Sequence, residues 1–315
     1  MEKNKIKNIK KKKILITGAS GFIGFYLSEY AHKKGYLLFG IDINEPKNPE
    51  IWKNFYVNKL DKKTIESLMN QNEFDAIYHL AGSASVPLSF ESPFSDFDSL
   101  IPPTLLLLDG IRKFSVNTKL IIFSSAAVYG NPEKLPILEN IPKKPISPYG
   151  LHKSINEDII EFYSNLYKIE CSVLRIFSAY GEGLRKQLFW DIMNKYKRNN
   201  KQIEVYGTGN ESRDFIHVKD VVRLAMLVGN KNLNSYFNVF NVANGIEITI
   251  KQCLDYLFLN ANIKPEIVFQ GQQMQGTPVN WKADVSKIKE IGYISKHDIK
   301  LELTNYFNWF SKINE

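Results

Sequence analysis

Cysteine is nearly absent, with only Cys171 and Cys253 in 315 residues. Each sits in an apolar run, and the two form no metal-like spacing. That excludes a disulfide framework and points to a reduced, cytoplasmic protein. Nothing beside either thiol marks it as reactive. Histidine is scarce too, at five residues. His79, His152 and His217 have no ligand-type companions at useful spacing, so no metal site is expected. His79 and His217 read as packing residues at strand ends. No apolar run approaches the ~18 residues that a membrane-spanning helix needs, and no internal repeat occurs. Excess charge is missing from most of the chain as well. Of the net +8, residues 1–13 carry +6, from seven lysines against Glu2. A basic flexible tail follows from this, and no nucleic-acid surface. The segment behind the tail is broken by glycines and has a strand-turn pattern, so it is no signal peptide.

What remains is ordinary for a soluble enzyme: 44% hydrophobic and 23% charged residues, ample for a core. Within it, one stretch organises the rest. Ile14-Leu15-Ile16-Thr17 leads into Gly18, Gly21 and Gly24, after which apolar residues recur at helical spacing. A strand, a tight turn and a helix N-terminus in that order make a pyrophosphate cradle. Glycine supplies the left-handed turn and lets a ligand approach the backbone. Asp42 ends the next apolar run, 24 residues beyond Gly18, where a ribose-binding carboxylate belongs. The stretch reads as a dinucleotide site.

Strand patterns near 14–17, 37–42, 54–57, 74–80, 118–124 and 170–176 alternate with helices, clearest at 22–34, 61–71 and 148–168. Alternation of this kind predicts an α/β fold, a Rossmann-type doubly wound parallel sheet with ligands at the carboxyl ends of its strands. Pro102 and Pro103 interrupt the Leu-rich segment 97–113, which places a helix start near Ser99 or Pro102. Beyond 176 the alternation loosens. Helices are expected near 187–199 and 219–229, and strands near 203–206, 213–217 and 238–242. The expected organisation is a cofactor domain over 14–176, rejoined by 219–243, and a smaller mixed α/β substrate domain from 177–218 and 244–315.

Chemistry concentrates at Tyr149-Gly150-Leu151-His152-Lys153. Ser147 and Pro148 supply an N-cap and a first-turn proline, so Tyr149 and Lys153 fall at i and i+4 on one helix face. A phenol titrates near ~10, and a neighbouring ammonium lowers that value. Tyr149 thereby becomes a proton acceptor from a hydroxyl beside a hydride carrier. Ser125, in Ser124-Ser125-Ala126-Ala127-Val128-Tyr129-Gly130 at the end of a strand, can bond the same oxygen.

GxxGxxG, SSAAVYG and YxxxK in this order resemble the extended short-chain dehydrogenase/reductases, specifically the nucleotide-sugar epimerase/dehydratase family. Further matching stretches are His79–Gly82, Arg213–Asp220, Asn241–Gly245 and Ala283–Lys287. The resemblance implies Tyr149 as acid/base, Lys153 as ribose ligand and tuner of Tyr149, and Ser125 as the third catalytic residue. It places Gly18, Ser20, Gly21, Phe22, Ile23, Gly24, Asp42, Asn58, Leu80, Ala81 and Gly82 around NAD. Ser83, Ser125, Ser178 and Arg213 would contact a nucleotide-diphosphate sugar. No arginine follows Asp42, which favours NAD over NADP. Arg185, Lys186 and Gln187 are further candidates for phosphate contact, or simply a solvated helix start.

Departures narrow the reaction. Ala126 and Ala127 stand where dehydratases of the family carry acids, and they cannot do acid-base work. Ser99 and Ser178 replace common asparagines, Asn58 replaces a frequent adenine-binding Asp, and Lys282 replaces an arginine. Epimerisation at C4 through a 4-keto intermediate is therefore expected. A 4-keto reductase or dehydrogenase is the alternative, and a non-catalytic NAD- or RNA-binding scaffold a remote one. The resemblance also implies a homodimer through helices near 97–113 and 148–168, and the unusual pocket favours surface polysaccharide assembly.

Overall fold

The structure is a computed structural model that describes residues 11–272 and 275–313. Most of the expected basic tail, residues 1–10, therefore lies outside the described residues. The elements run β1 (Lys13–Thr17), α1 (Phe22–Lys33), β2 (Leu37–Asp42), β3 (Trp52–Val57), α2 (Lys62–Gln71), β4 (Ala76–His79), α3 (Val86–Glu91), α4 (Pro93–Phe114), β5 (Lys119–Ser125), α5 (Pro148–Tyr167) and β6 (Cys171–Ile176). They continue as β7 (Ser178–Tyr180), α6 (Gln187–Arg198), β8 (Gln202–Val205), β9 (Ser212–His217), α7 (Val218–Asn230), β10 (Phe237–Val242), β11 (Glu247–Thr249), α8 (Ile250–Leu257), β12 (Glu266–Phe269), α9 (Ser286–Glu290) and α10 (Ile299–Lys312).

Seven strands form one sheet in the order β10-β6-β5-β4-β1-β2-β3, and every pairing is parallel. Its strands are apolar on both faces because both are covered. Ile14, Ile16, Tyr78 and Ile121 pack with Leu27 of α1 and Leu224 of α7. Their sequence neighbours Leu15, Ile77, Leu120 and Ile122 pack on the other face with Leu68 of α2, Leu107 of α4 and Ile160 of α5. Strand order reverses between β1 and β4, which opens a crevice outside their carboxyl ends. Beyond this sheet, β11-β9-β7 and β12-β8 form two small sheets. There Phe189, Ile192, Phe215, Leu254, Tyr306 and Phe310 build a separate aromatic-rich core.

One sequence expectation fails here. Helix α4 starts at Pro93, not near Ser99 or Pro102, and carries both prolines in its interior. An interior proline costs about 3 kcal/mol in an isolated helix. Here Leu100, Ile101, Thr104, Leu107 and Ile111 are buried against the fold, and that packing offsets the cost. Thr104 Oγ1 also donates to the Leu100 carbonyl at 2.9 Å. The short elements α3, β7, β11 and β12 carry too few residues to give a periodic signal.

Candidate active site

The first βα turn is built by glycine. Gly18 has φ +70°, and a Cβ there would lie 2.7 Å from the Ala81 backbone nitrogen. A Cβ on Gly24 would strike the Gly18 carbonyl. The turn therefore lies flat against the β4 loop, and α1 begins at an N-cap glycine with no side-chain cap. Its first-turn N–H groups are left for an anion. At the end of β2 the Asp42 carboxylate accepts from Ser20 N at 3.0 Å and from Asn44 N at 2.9 Å. Those bonds aim it at the same crevice.

Tyr149 is held from both directions. Ser147 caps α5 by accepting from Gly150 N at 3.1 Å, with Pro148 in the first turn. Tyr149 N donates to Ser89 Oγ of α3 at 3.0 Å. Lys153 is buried and donates to the Phe123 carbonyl of β5 at 2.9 Å, with its nitrogen 5.7 Å from the Tyr149 ring centre. Ser125 Oγ accepts from Ala127 N at 3.1 Å.

Burial pushes the Tyr149 phenol up to about 12, the Ser125 hydroxyl pulls it back, and Asp96 raises it further. Lys153 Nζ is directed at the Phe123 carbonyl rather than at the phenol oxygen. Lys153 is itself pushed down to about 8 by burial, against the favourable charges of Asp96 and Glu157. In this arrangement the ammonium is close to titrating at neutral pH.

Gly18, Gly21, Gly24 and Gly82, with Ser20, Phe22, Ile23, Asp42, Asn58, Leu80, Ala81, Ser83, Ser125, Tyr149, Lys153, Ser178 and Arg213, line one cavity of about 1460 Å³. That exceeds the ~300–1,000 Å³ of a single ligand pocket, and suits a dinucleotide and a sugar nucleotide together. Asn58 accepts from Lys59 N at 2.8 Å and donates to Thr64 Oγ1 in the first turn of α2 at 3.3 Å. Arg213 donates to the carbonyls of Ser212 at 2.7 Å and Val279 at 3.0 Å and sits 5.8 Å from the Trp281 ring centre. Lys186 and Gln187 line the cavity as well, and Lys186 reaches the Ala84 carbonyl at 3.1 Å.

His79 is buried at the end of β4, between Thr17 Oγ1 at 2.7 Å and Thr104 Oγ1 at 3.1 Å. Burial holds it down to about 3, so it is neutral. Burial pushes the Cys171 thiol up to about 12. Sequence reasoning missed Asp96, which contacts His152 at 2.6 Å, and it missed Glu157. Both are charged residues buried at helix contacts, where a polar face was expected. It also missed how the matching stretches meet. Asp214 accepts from Asn244 N and Gly245 N, each at 2.9 Å, and from Ala283 N at 3.0 Å. One carboxylate thus ties three of them together.

Residues 14–243 match the family model of the NAD dependent epimerase/dehydratase family. An uncharacterised protein of Methanocaldococcus jannaschii is 32% identical, covering 96% of this chain and 97% of its own. A UDP-glucuronate 4-epimerase of Thermodesulfobacterium geofontis is 28% identical over 94% of this chain and 95% of its own. Among solved structures, the UDP-glucose 4-epimerase of Thermotoga maritima with UDP-glucose superimposes with a TM-score of 0.86 at 28% identity, covering 96% of this chain and all of the other. The glycine turn, the aimed Asp42 carboxylate and the Ser125, Tyr149 and Lys153 wall agree with the match: the chain belongs to the NAD dependent epimerase/dehydratase family.

Proposed function

We propose that the protein interconverts C4 epimers of a nucleotide-diphosphate sugar. The observation that carries this reading is a single cavity in which Ser125, Tyr149 and Lys153 stand together while the residues after Ser125 are Ala126 and Ala127. The site can move a proton at a hydroxyl, and it offers no second acid or base at those positions for expelling water.

NAD, when bound, supplies the hydride acceptor and donor. Gly18, Gly21 and the α1 N-terminus would hold its pyrophosphate, Asp42 its adenosine ribose and Lys153 its nicotinamide ribose. Tyr149 takes the proton from the C4 hydroxyl, with Ser125 hydrogen-bonding the same oxygen, and a 4-keto sugar results. The sugar turns within the cavity, and Tyr149 returns the proton once the opposite face has been reduced. Arg213, a planar multi-donor cation backed by Trp281, would grip the diphosphate and keep the nucleotide in place during the turn. Ser83 and Ser178 would contact the sugar and phosphates. In this reading the elements built on the aromatic core of β7, β9, α6, α8 and α10 form the substrate domain.

The alternative is a 4-keto reductase or dehydrogenase using the same three residues with exchangeable cofactor. Denaturing freshly purified protein and chromatographing the released nucleotide separates the two. Near-stoichiometric NAD or NADH, with conversion of UDP-glucose or UDP-glucuronate to the C4 epimer, supports epimerisation. Little bound nucleotide, with reversible binding of NADH afterwards, moves the assignment to the reductase. We place the reaction in the cytoplasm, in line with two buried free thiols, and in surface polysaccharide assembly. A homodimer through α4 and α5 is supported by Leu151, Phe162 and Leu166, which lie 47%, 63% and 54% exposed on α5.

A further inference from the structure

A second cluster lies outside the cavity, where β9 passes into α7. His217, at that junction, meets His297 from the loop before α10 and Glu302 from the first turn of α10. One donor atom from each lies within 4.8 Å of the other two. His217 Nε2 stands 3.8 Å from Glu302 Oε2, and the two imidazoles face each other with centres 4.5 Å apart. His217 Nδ1 is buried without a hydrogen-bond partner, a costly arrangement for a polar atom. His297 Nδ1 lies 3.1 Å from Asp220 Oδ2, the outer carboxylate that metal-bound imidazoles commonly carry. That carboxylate also accepts from Ser295 Oγ at 3.1 Å, Lys296 N at 3.0 Å and His297 N at 3.1 Å. The backbone presenting His297 is therefore already in place.

We propose that His217, His297 and Glu302 form a binding site for a divalent transition metal, zinc first, that fastens α10 and its preceding loop to the β9–α7 junction. Two imidazoles and one carboxylate are a recurrent zinc donor set, and hard cations such as magnesium favour all-oxygen sites. Tetrahedral zinc with bonds of about 2.0–2.1 Å needs donors about 3.3 Å apart. The cluster must therefore close by roughly an ångström. His297 and Glu302 are only partly buried and can move, whereas His217 is fixed in the core. The ion is structural in this assignment, because the cluster shares no residue with the cavity that holds Tyr149.

Zinc chloride titrated calorimetrically into untagged, chelator-treated full-length protein tests the site, with thermal unfolding followed in parallel. The expected result is one zinc per chain and a rise in Tm, with magnesium giving neither. His297→Ala and Glu302→Gln should each weaken zinc binding at least about tenfold and remove the Tm rise. Both residues are partly exposed, so the two variants should fold. Absence of stoichiometric binding, or binding that both variants retain unchanged, overturns the assignment.

Discussion

Ser124 Oγ donates to Glu157 Oε1 at 2.6 Å, linking the strand that carries Ser125 to the helix that carries Tyr149 and Lys153. Glu157 lies one turn beyond Lys153 and also pairs with Arg175, whose Nε and Nη2 approach to 3.1 and 2.7 Å. Both ions are buried. Arg175 continues to the Tyr129 hydroxyl at 2.8 Å, and Tyr129 to Asn241 at 2.6 Å. Breaking a buried pair leaves an uncompensated charge and costs about 3–5 kcal/mol. Glu157→Gln is therefore expected to lower unfolding stability by about that amount in denaturant melts and to lower kcat, since the Ser124–Glu157 link between the strand of Ser125 and the helix of Lys153 is weakened.

Tyr149→Phe removes the phenol placed beside Ser125 and Lys153. A positioned acid/base contributes about 10²–10⁴-fold, so kcat should fall by that factor. Nucleotide released on denaturation should stay at the wild-type level. Full activity in this variant would revive the scaffold reading.

Lys153→Met exchanges function for stability. The folded-state value near 8 lies below the ordinary 10.5, so the unfolded chain binds more protons between those pH values. Stability from this group thus rises with pH across that window and is lost as pH falls through about 8. Replacing the buried ammonium with an apolar chain should raise stability at pH 7 by about 1–3 kcal/mol, allowing for the lost bond to Phe123. It should also flatten the rise between pH 8 and 10.5. Activity should drop sharply. Urea melts across pH 7–10.5 read the first effect and an epimer assay the second.

Gly18→Ala tests the cradle. The added methyl meets the Ala81 backbone at 2.7 Å, at a φ that side chains rarely adopt. Backbone cannot yield as a side-chain tip can, so bound NAD should be lost. Stability should fall by about 1–3 kcal/mol from the strained dihedral alone, seen as a lower Tm.

The sequence by itself determined whatever depends on residues near one another in the chain. The glycine turn, Asp42 at the end of β2, the Ser147 cap and the i, i+4 relation of Tyr149 to Lys153 are local geometry, set by backbone sterics and helical period. The alternation of elements likewise predicted a parallel sheet, and with it where ligands bind. Tertiary structure decided what depends on packing across the chain. It put Pro102 and Pro103 inside α4, where burial outweighs a local penalty. It left the Tyr149 phenol raised by desolvation, and it bound the Lys153 ammonium to the Phe123 carbonyl of another strand. It brought His217 to His297 and Glu302 from 80 or more positions away. Burial and charge proximity are properties of contacts, and no period or spacing in the chain encodes which distant residues will share one.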